Sequence, residues 1–173
     1  MGTTYWKGDD QIGQLINNVI HKYHSELGKA KVRIGVLMAF NEKSPPVKNG
    51  GYQAYATIRI ISLKDRVTKD HDAEMCIDAE AWKQFTSTQK EALIDHELSH
   101  LKCKKKKARG PDGKPVETDE LMFDDLSRPM LKLVKADWNV GDGFADVVAR
   151  HKESSVEYVS INKAKELADA ASA

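Results

Sequence analysis

The sequence predicts an α+β domain. Three observations carry that reading. A segment with helical spacing opens the chain, alternating segments follow it, and a capped helix bearing two histidines comes after them. Helices and strands are therefore segregated rather than regularly interleaved.

From Asp9 to Leu27 the apolar residues are Ile12, Leu15, Ile16, Val19, Ile20, Tyr23 and Leu27, which is helical spacing with one wet face. Asp9 or Asp10 supplies a cap and Gly28 a stop. Val32, Ile34, Val36, Met38 and Phe40 then alternate, as one side of a strand does. The stretch NEKSPPVKNGG from Asn41 to Gly51 reads as a long loop. Alternation resumes through Ala54, Ala56, Ile58 and Ile60, a second strand within Tyr52 to Leu63. Glu74 to Ile77 makes a short third strand, and Ala79 to Phe85 a short helix or turn packed by Trp82 and Phe85. Thr86 or Thr88 opens a capping box for the next helix.

Beyond that helix, Lys102 to Glu120 contains GPDGKP and reads as a mobile loop or hairpin. Asn139 to His151 reads as a capped helix with Asp142 near its N-cap and Phe144, Val147, Val148 and His151 on one face. The segment 160–173 is Ala-rich and weakly helical. The expected organisation is a single domain over 1–159 followed by that tail. A mixed sheet of about three strands should pack with the N-terminal helix and the histidine-bearing helix.

Composition narrows the function classes. The 173 residues are 40% hydrophobic and 31% charged, with 27 Lys plus Arg against 26 Asp plus Glu. That near-neutral balance exerts no general pull on nucleic acid or membranes, so electrostatic function must be local. Two cysteines, Cys76 and Cys103, are too few for a disulfide scaffold and form no C-x-x-C pair. The start MGTTYWKGDD has no apolar leader, and Trp6 stands where a myristoylation signal wants Ser or Thr. No apolar run is long enough to span a bilayer. The expectation is a cytoplasmic protein without a membrane partner, its oligomeric state open.

The chemistry is concentrated in EALIDHELSHLKCKKKK, from Glu91 to Lys107. On a helix His96 and His100 lie one turn apart on one face, close enough for both imidazoles to bind a single Zn2+. Zinc lowers the pKa of a bound water toward about 7, and the adjacent Glu97 takes its proton as general base. Leu93, His96, Glu97 and His100 share a face that would line a cleft, while Ile94, Leu98 and Leu101 face the core. Asp95 is a supporting or surface carboxylate. The plain alternative is a charged helix that happens to carry two histidines.

The surrounding segment DAEMCIDAEAWKQFTSTQKEALIDHELSHL resembles the metallopeptidases encoded by bacteriophages and prophages. In that family a short strand leads to a tryptophan-bearing turn and then to ALxDHELxH, here Met75 to Ile77, Trp82, and Ala92 to His100. The later DWNVGDGFADVVARH is similar to the family's C-terminal helix. The resemblance is close over Met75 to Leu101 and loose over Lys31 to His151. It implies a zincin-like fold, peptide-bond hydrolysis of a protein or peptide substrate, two zinc histidines (His96 and His100) and the base Glu97. One position departs from it: family members often show His-Asp before the C-terminal helix, where this chain has Ala136-Asp137.

A catalytic zinc usually has three protein ligands, and the motif supplies two. Asp142, between Gly141 and Gly143, is the first candidate for the third, although it also suits an ordinary N-cap. Asp137 follows, favoured by the family's aspartate, and then His151, which shares a face with apolar residues. Asp119 and Glu120 are more remote, and Cys103 is poorly aimed if the helix continues through it. Tyr52, Tyr55, Tyr158, Arg150 and His151 are candidate donors to a transition-state oxyanion.

Lys102, Lys104, Lys105, Lys106, Lys107 and Arg109 form a dense basic run. The favoured reading is a solvated helix end, where cations complement the dipole. A non-catalytic zincin-like scaffold that binds nucleic acid or a protein through Lys102–Arg109 is the alternative function. The run has no interleaved aromatics, which weakens a nucleic-acid role.

Overall fold

A computed structural model describes residues 2–135, 147 and 149–151. In chain order the elements are β1 (Thr4–Lys7), α1 (Asp10–Tyr23), α2 (Ser25–Lys29), β2 (Ile34–Phe40), β3 (Lys48–Asn49), β4 (Tyr52–Gln53), β5 (Ala56–Ile60) and α3 (Leu63–Arg66). They continue with β6 (Ala73–Asp78), α4 (Ala79–Gln84), α5 (Ser87–Ser99), β7 (Leu101–Cys103), β8 (Lys105–Arg109), β9 (Pro115–Leu121) and β10 (Leu131–Leu133). Residues 147 and 149–151 are helical. The α+β expectation is met. The 160–173 tail lies outside the described residues.

The main sheet has four strands in the order β1-β2-β6-β5, one more than expected. β2 and β6 are parallel, and β1 and β5 pair antiparallel at the two edges. The extra strand, β1, is exposed along its whole length, and four residues carry too little alternation to reveal it. Along β6, Ala73, Met75 and Ile77 are completely buried. They join Ile16, Val19, Leu93, Ile94 and Leu98 from α1 and α5 in one core.

Helix α1 starts as expected, with the Asp9 carboxylate accepting from the Ile12 N–H. It does not run to Gly28. His24 leaves helical geometry as the C-cap of α1, and a short α2 follows. The left-handed residue that ends α2 is Lys31 (φ 57°), with Val32 N–H donating to Leu27 O and Lys31 N–H to Gly28 O. That pair of bonds is the Schellman closure, built here on lysine rather than the expected glycine. The second alternating segment is also divided. Tyr52 and Gln53 pair with β3 in a small hairpin, and only Ala56–Ile60 enters the main sheet.

Helix α5 carries the capping box on Thr86, whose hydroxyl accepts from Gln89 N–H while the Gln89 side chain accepts from Thr86 N–H. It stops at His100, and β7 begins at the next residue. The lysines therefore do not solvate a helix end. All but Lys104, which links β7 to β8, lie in strands: β7 pairs with β10, and β8 pairs with β9 in a hairpin whose turn holds Gly113 at φ 76°. Only glycine enters that region at little cost. Lys105 pairs with Glu26 at 3.0 Å and Lys106 with Glu120 at 2.9 Å, so part of the run is neutralised by neighbouring carboxylates.

A buried ionic cluster fixes the chain on its way back to β10. Asp72 is fully buried and accepts from Arg128 Nε at 2.7 Å and from Arg33 N–H at 2.9 Å. Arg66 donates to the carbonyls of Ile61 and Pro129 and to the Asp124 carboxylate. Arg128 also donates to the carbonyls of Arg66 and Lys69. Buried charges persist only when paired and hydrogen-bonded, and these are.

Candidate metal centre

Ala92 to Ser99 are all buried, so the second half of α5 is enclosed on every side rather than forming one wet wall. His96 and Glu97 are almost inaccessible, and His100, at the helix end, is partly exposed. The i, i+4 spacing aims both imidazoles at one point: His96 Nε2 and His100 Nε2 are 3.3 Å apart. Potential donor atoms of His96, Glu97 and His100 all lie within 4.8 Å of one another.

Two ligands at about 2.05 Å from a tetrahedral ion are separated by roughly 3.3–3.4 Å, which is the spacing the imidazoles already have. The ring chemistry agrees. His100 Nδ1–H donates to the Val134 carbonyl at 2.9 Å, which leaves Nε2 with its lone pair on the side of His96. Val134 N–H returns a bond to the His100 carbonyl at 2.8 Å, so the residue is tied at backbone and ring. Burial, with His100 adjacent, pushes the His96 pKa down to about 3. Burial also lowers that of His100, against an upward pull from the Val134 carbonyl. Both rings are thus held neutral, the form that binds a metal.

Behind this group sits Asp95, whose side chain is completely buried. It is not a surface carboxylate. His24 Nε2 donates to Oδ1 at 2.6 Å and His151 Nε2 to Oδ2 at 2.8 Å. Arg150 makes a two-pronged contact, Nε to Oδ2 at 3.0 Å and Nη2 to Oδ1 at 2.9 Å. Desolvation drives the Asp95 carboxyl pKa upward, but the hydrogen bonds from His24, His151 and Arg150 outweigh it and leave the group below its usual range. Arg150 also lies 4.5 Å over the Tyr23 ring, and His151 packs edge-on against the same ring.

The remaining candidates among the described residues lie outside this donor group. His151 is engaged by Asp95 instead of joining the donor group. Cys103 is on β7 rather than on the helix, and burial together with Glu26 pushes its thiol up to about 11, away from the thiolate a metal needs. Asp119 and Glu120 belong to the β8–β9 hairpin. Tyr52 is 81% exposed, and Tyr55 packs edge-on against Phe85. Arg150 is committed to Asp95. Asp142, Asp137 and Tyr158 lie outside the described residues. Sequence reasoning missed two parts of the site. The Val134 carbonyl is backbone and leaves no trace in residue identity, and the partners of Asp95 come from positions remote in the chain.

An α+β domain with two neutral imidazoles converging beside a buried glutamate on one helix has the donor set of a metal-dependent hydrolase. The chain belongs to the family described as "Putative phage metallopeptidase", whose model matches residues 4–172. That family implies a metal ion and hydrolase chemistry. No curated protein and no solved structure matched the chain. Among the described residues, no helix is long and apolar enough to cross a membrane.

Proposed function

We propose that the protein is a zinc-dependent peptidase acting on a protein or peptide substrate in the cytoplasm of the phage-bearing cell. The observation that carries this reading is the 3.3 Å separation of the His96 and His100 Nε2 atoms beside Glu97. His96 and His100 would hold the ion, with Asp142 as the third ligand. When bound, zinc supplies a Lewis acid that polarises water and the scissile carbonyl.

The protein's own groups do the rest. Glu97 takes a proton from the water as its oxygen attacks the peptide carbon, and returns that proton to the departing amine as the C–N bond breaks. The enclosure of Glu97 keeps bulk water from competing for its carboxylate. The Val134 carbonyl holds His100 in the tautomer that leaves Nε2 available.

A non-catalytic role through the Lys102–Arg109 run has less behind it, because Lys105 and Lys106 already have carboxylate partners. A purely structural metal site would also have no use for a glutamate base beside the histidines. The test is cleavage of a mixed peptide library read by mass spectrometry. Zinc-loaded protein should cut, a chelator should stop it, and Glu97→Gln should lose at least ~10²-fold in rate while keeping the fold. Undiminished cleavage by Glu97→Gln would remove the proposed base.

A further inference from the structure

Asp95 is where three parts of the chain meet. It is adjacent to His96 on α5, and it receives His24 from the end of α1 together with Arg150 and His151 from the helical residues 149–151. An ionised carboxylate has about four acceptor sites. Two imidazole donors and the two prongs of a guanidinium match that capacity, so the group is saturated by protein. With Arg150 occupying one side, it is not a site for a cation.

The placement gives the cluster its consequence. Residues one apart on a helix are about 100° apart around it. The Asp95 side chain therefore leaves α5 in a different direction from that of His96, toward α1 and the 149–151 helix. Any roll of α5 about its axis would swing His96 and His100 together, and the bonds at Asp95 oppose that roll. His100 is held independently by Val134 at the end of the helix. His96 is the residue directly after Asp95 in the chain, so the cluster acts on the backbone that carries it.

We propose that Asp95 is a positioning residue: by docking His24 and the Arg150–His151 pair against α5, it fixes the orientation of His96 toward the ion shared with His100. The proposal rests on the zinc reading above. It assigns Asp95 no contact with substrate or metal and no proton transfer. The two-pronged geometry of Arg150 is essential to it, and lysine, a point charge without the fork, should not substitute.

The test uses zinc alone. Affinity is measured by competition with a chromophoric chelator, at a temperature where far-UV circular dichroism shows each protein folded. Wild-type protein, Asp95→Asn, Arg150→Gln, Arg150→Lys and the Asp95→Asn/Arg150→Gln double variant are compared. Asp95→Asn and Arg150→Gln should each weaken zinc binding by about 10-fold or more, as loss of a supporting hydrogen bond commonly does. Arg150→Lys should fail to restore it, and the double variant should be no weaker than its weaker parent, since both changes break one interaction. A role in stability alone would lower the unfolding temperature and leave zinc affinity within roughly twofold of wild type, and that result overturns the proposal. If Asp95→Asn does not fold, Arg150→Gln decides, because His24 and His151 still satisfy the carboxylate. Absence of zinc binding by wild-type protein would instead defeat the underlying metal reading, so the two failures are distinct.

Discussion

Cys103 and His96 show how burial acts in opposite chemical directions on two buried residues. Desolvation disfavours the charged form of each, so the His96 imidazole is kept neutral and ligand-ready while the Cys103 thiol is kept protonated and inert. With its pKa pushed up to about 11, Cys103 carries almost no thiolate at pH 8. Iodoacetamide should therefore leave it unmodified in the folded protein there, and labelling should accelerate as pH rises toward 11 or when the chain is unfolded. Rapid alkylation at pH 8 in the native state, read by peptide mapping, would contradict the buried placement. His96, Glu97 and His100 were legible in the sequence because their chemistry and their i, i+4 spacing are both local. Asp95 was legible only as a carboxylate next to the motif. Its burial depends on His24, Arg150 and His151, and pairings across such separations are written in no short stretch of sequence.

At the scale of elements, strong local signals came through. The Thr86 capping box, the Asp9 cap and the alternation that makes β2 each involve residues within a few positions of one another. Elements decided by tertiary contacts did not. The break at His24 coincides with its bond to Asp95, and all of the lysine run except Lys104 is strand because it pairs with β9 and β10. Helix propensity alone favours continuing through lysine, so here cross-strand pairing overrides it. The loop between β9 and β10 is held by the Arg66, Asp72, Asp124 and Arg128 cluster, which has no sequence signature. Removing one partner from such a cluster leaves buried charge uncompensated. Arg128→Ala should accordingly destabilise the protein by about 3–5 kcal/mol in urea unfolding. A loss below about 0.5 kcal/mol would mean that the cluster contributes little to the fold.

At the scale of the whole molecule, the order of helix, strands and helix was enough to give an α+β domain, and the family resemblance supplied the expectation of a metal. What composition could not give was how the parts close around α5. The α1 end, Val134 and the 149–151 helix each send one or more bonds to that single helix. A site assembled from such distant segments ties metal binding to folding, since an ion that binds only the folded form stabilises it by mass action. The central claim is that His96 and His100 hold a zinc ion, and the most direct measurement is zinc content and thermal unfolding of purified wild-type protein beside His96→Ala and Glu97→Gln. One zinc per chain is expected in wild type and in Glu97→Gln, with a melting temperature that falls on chelation; His96→Ala should hold no zinc and show no chelator effect. Stoichiometric zinc retained by His96→Ala, with the wild-type response to chelator, would contradict the assignment.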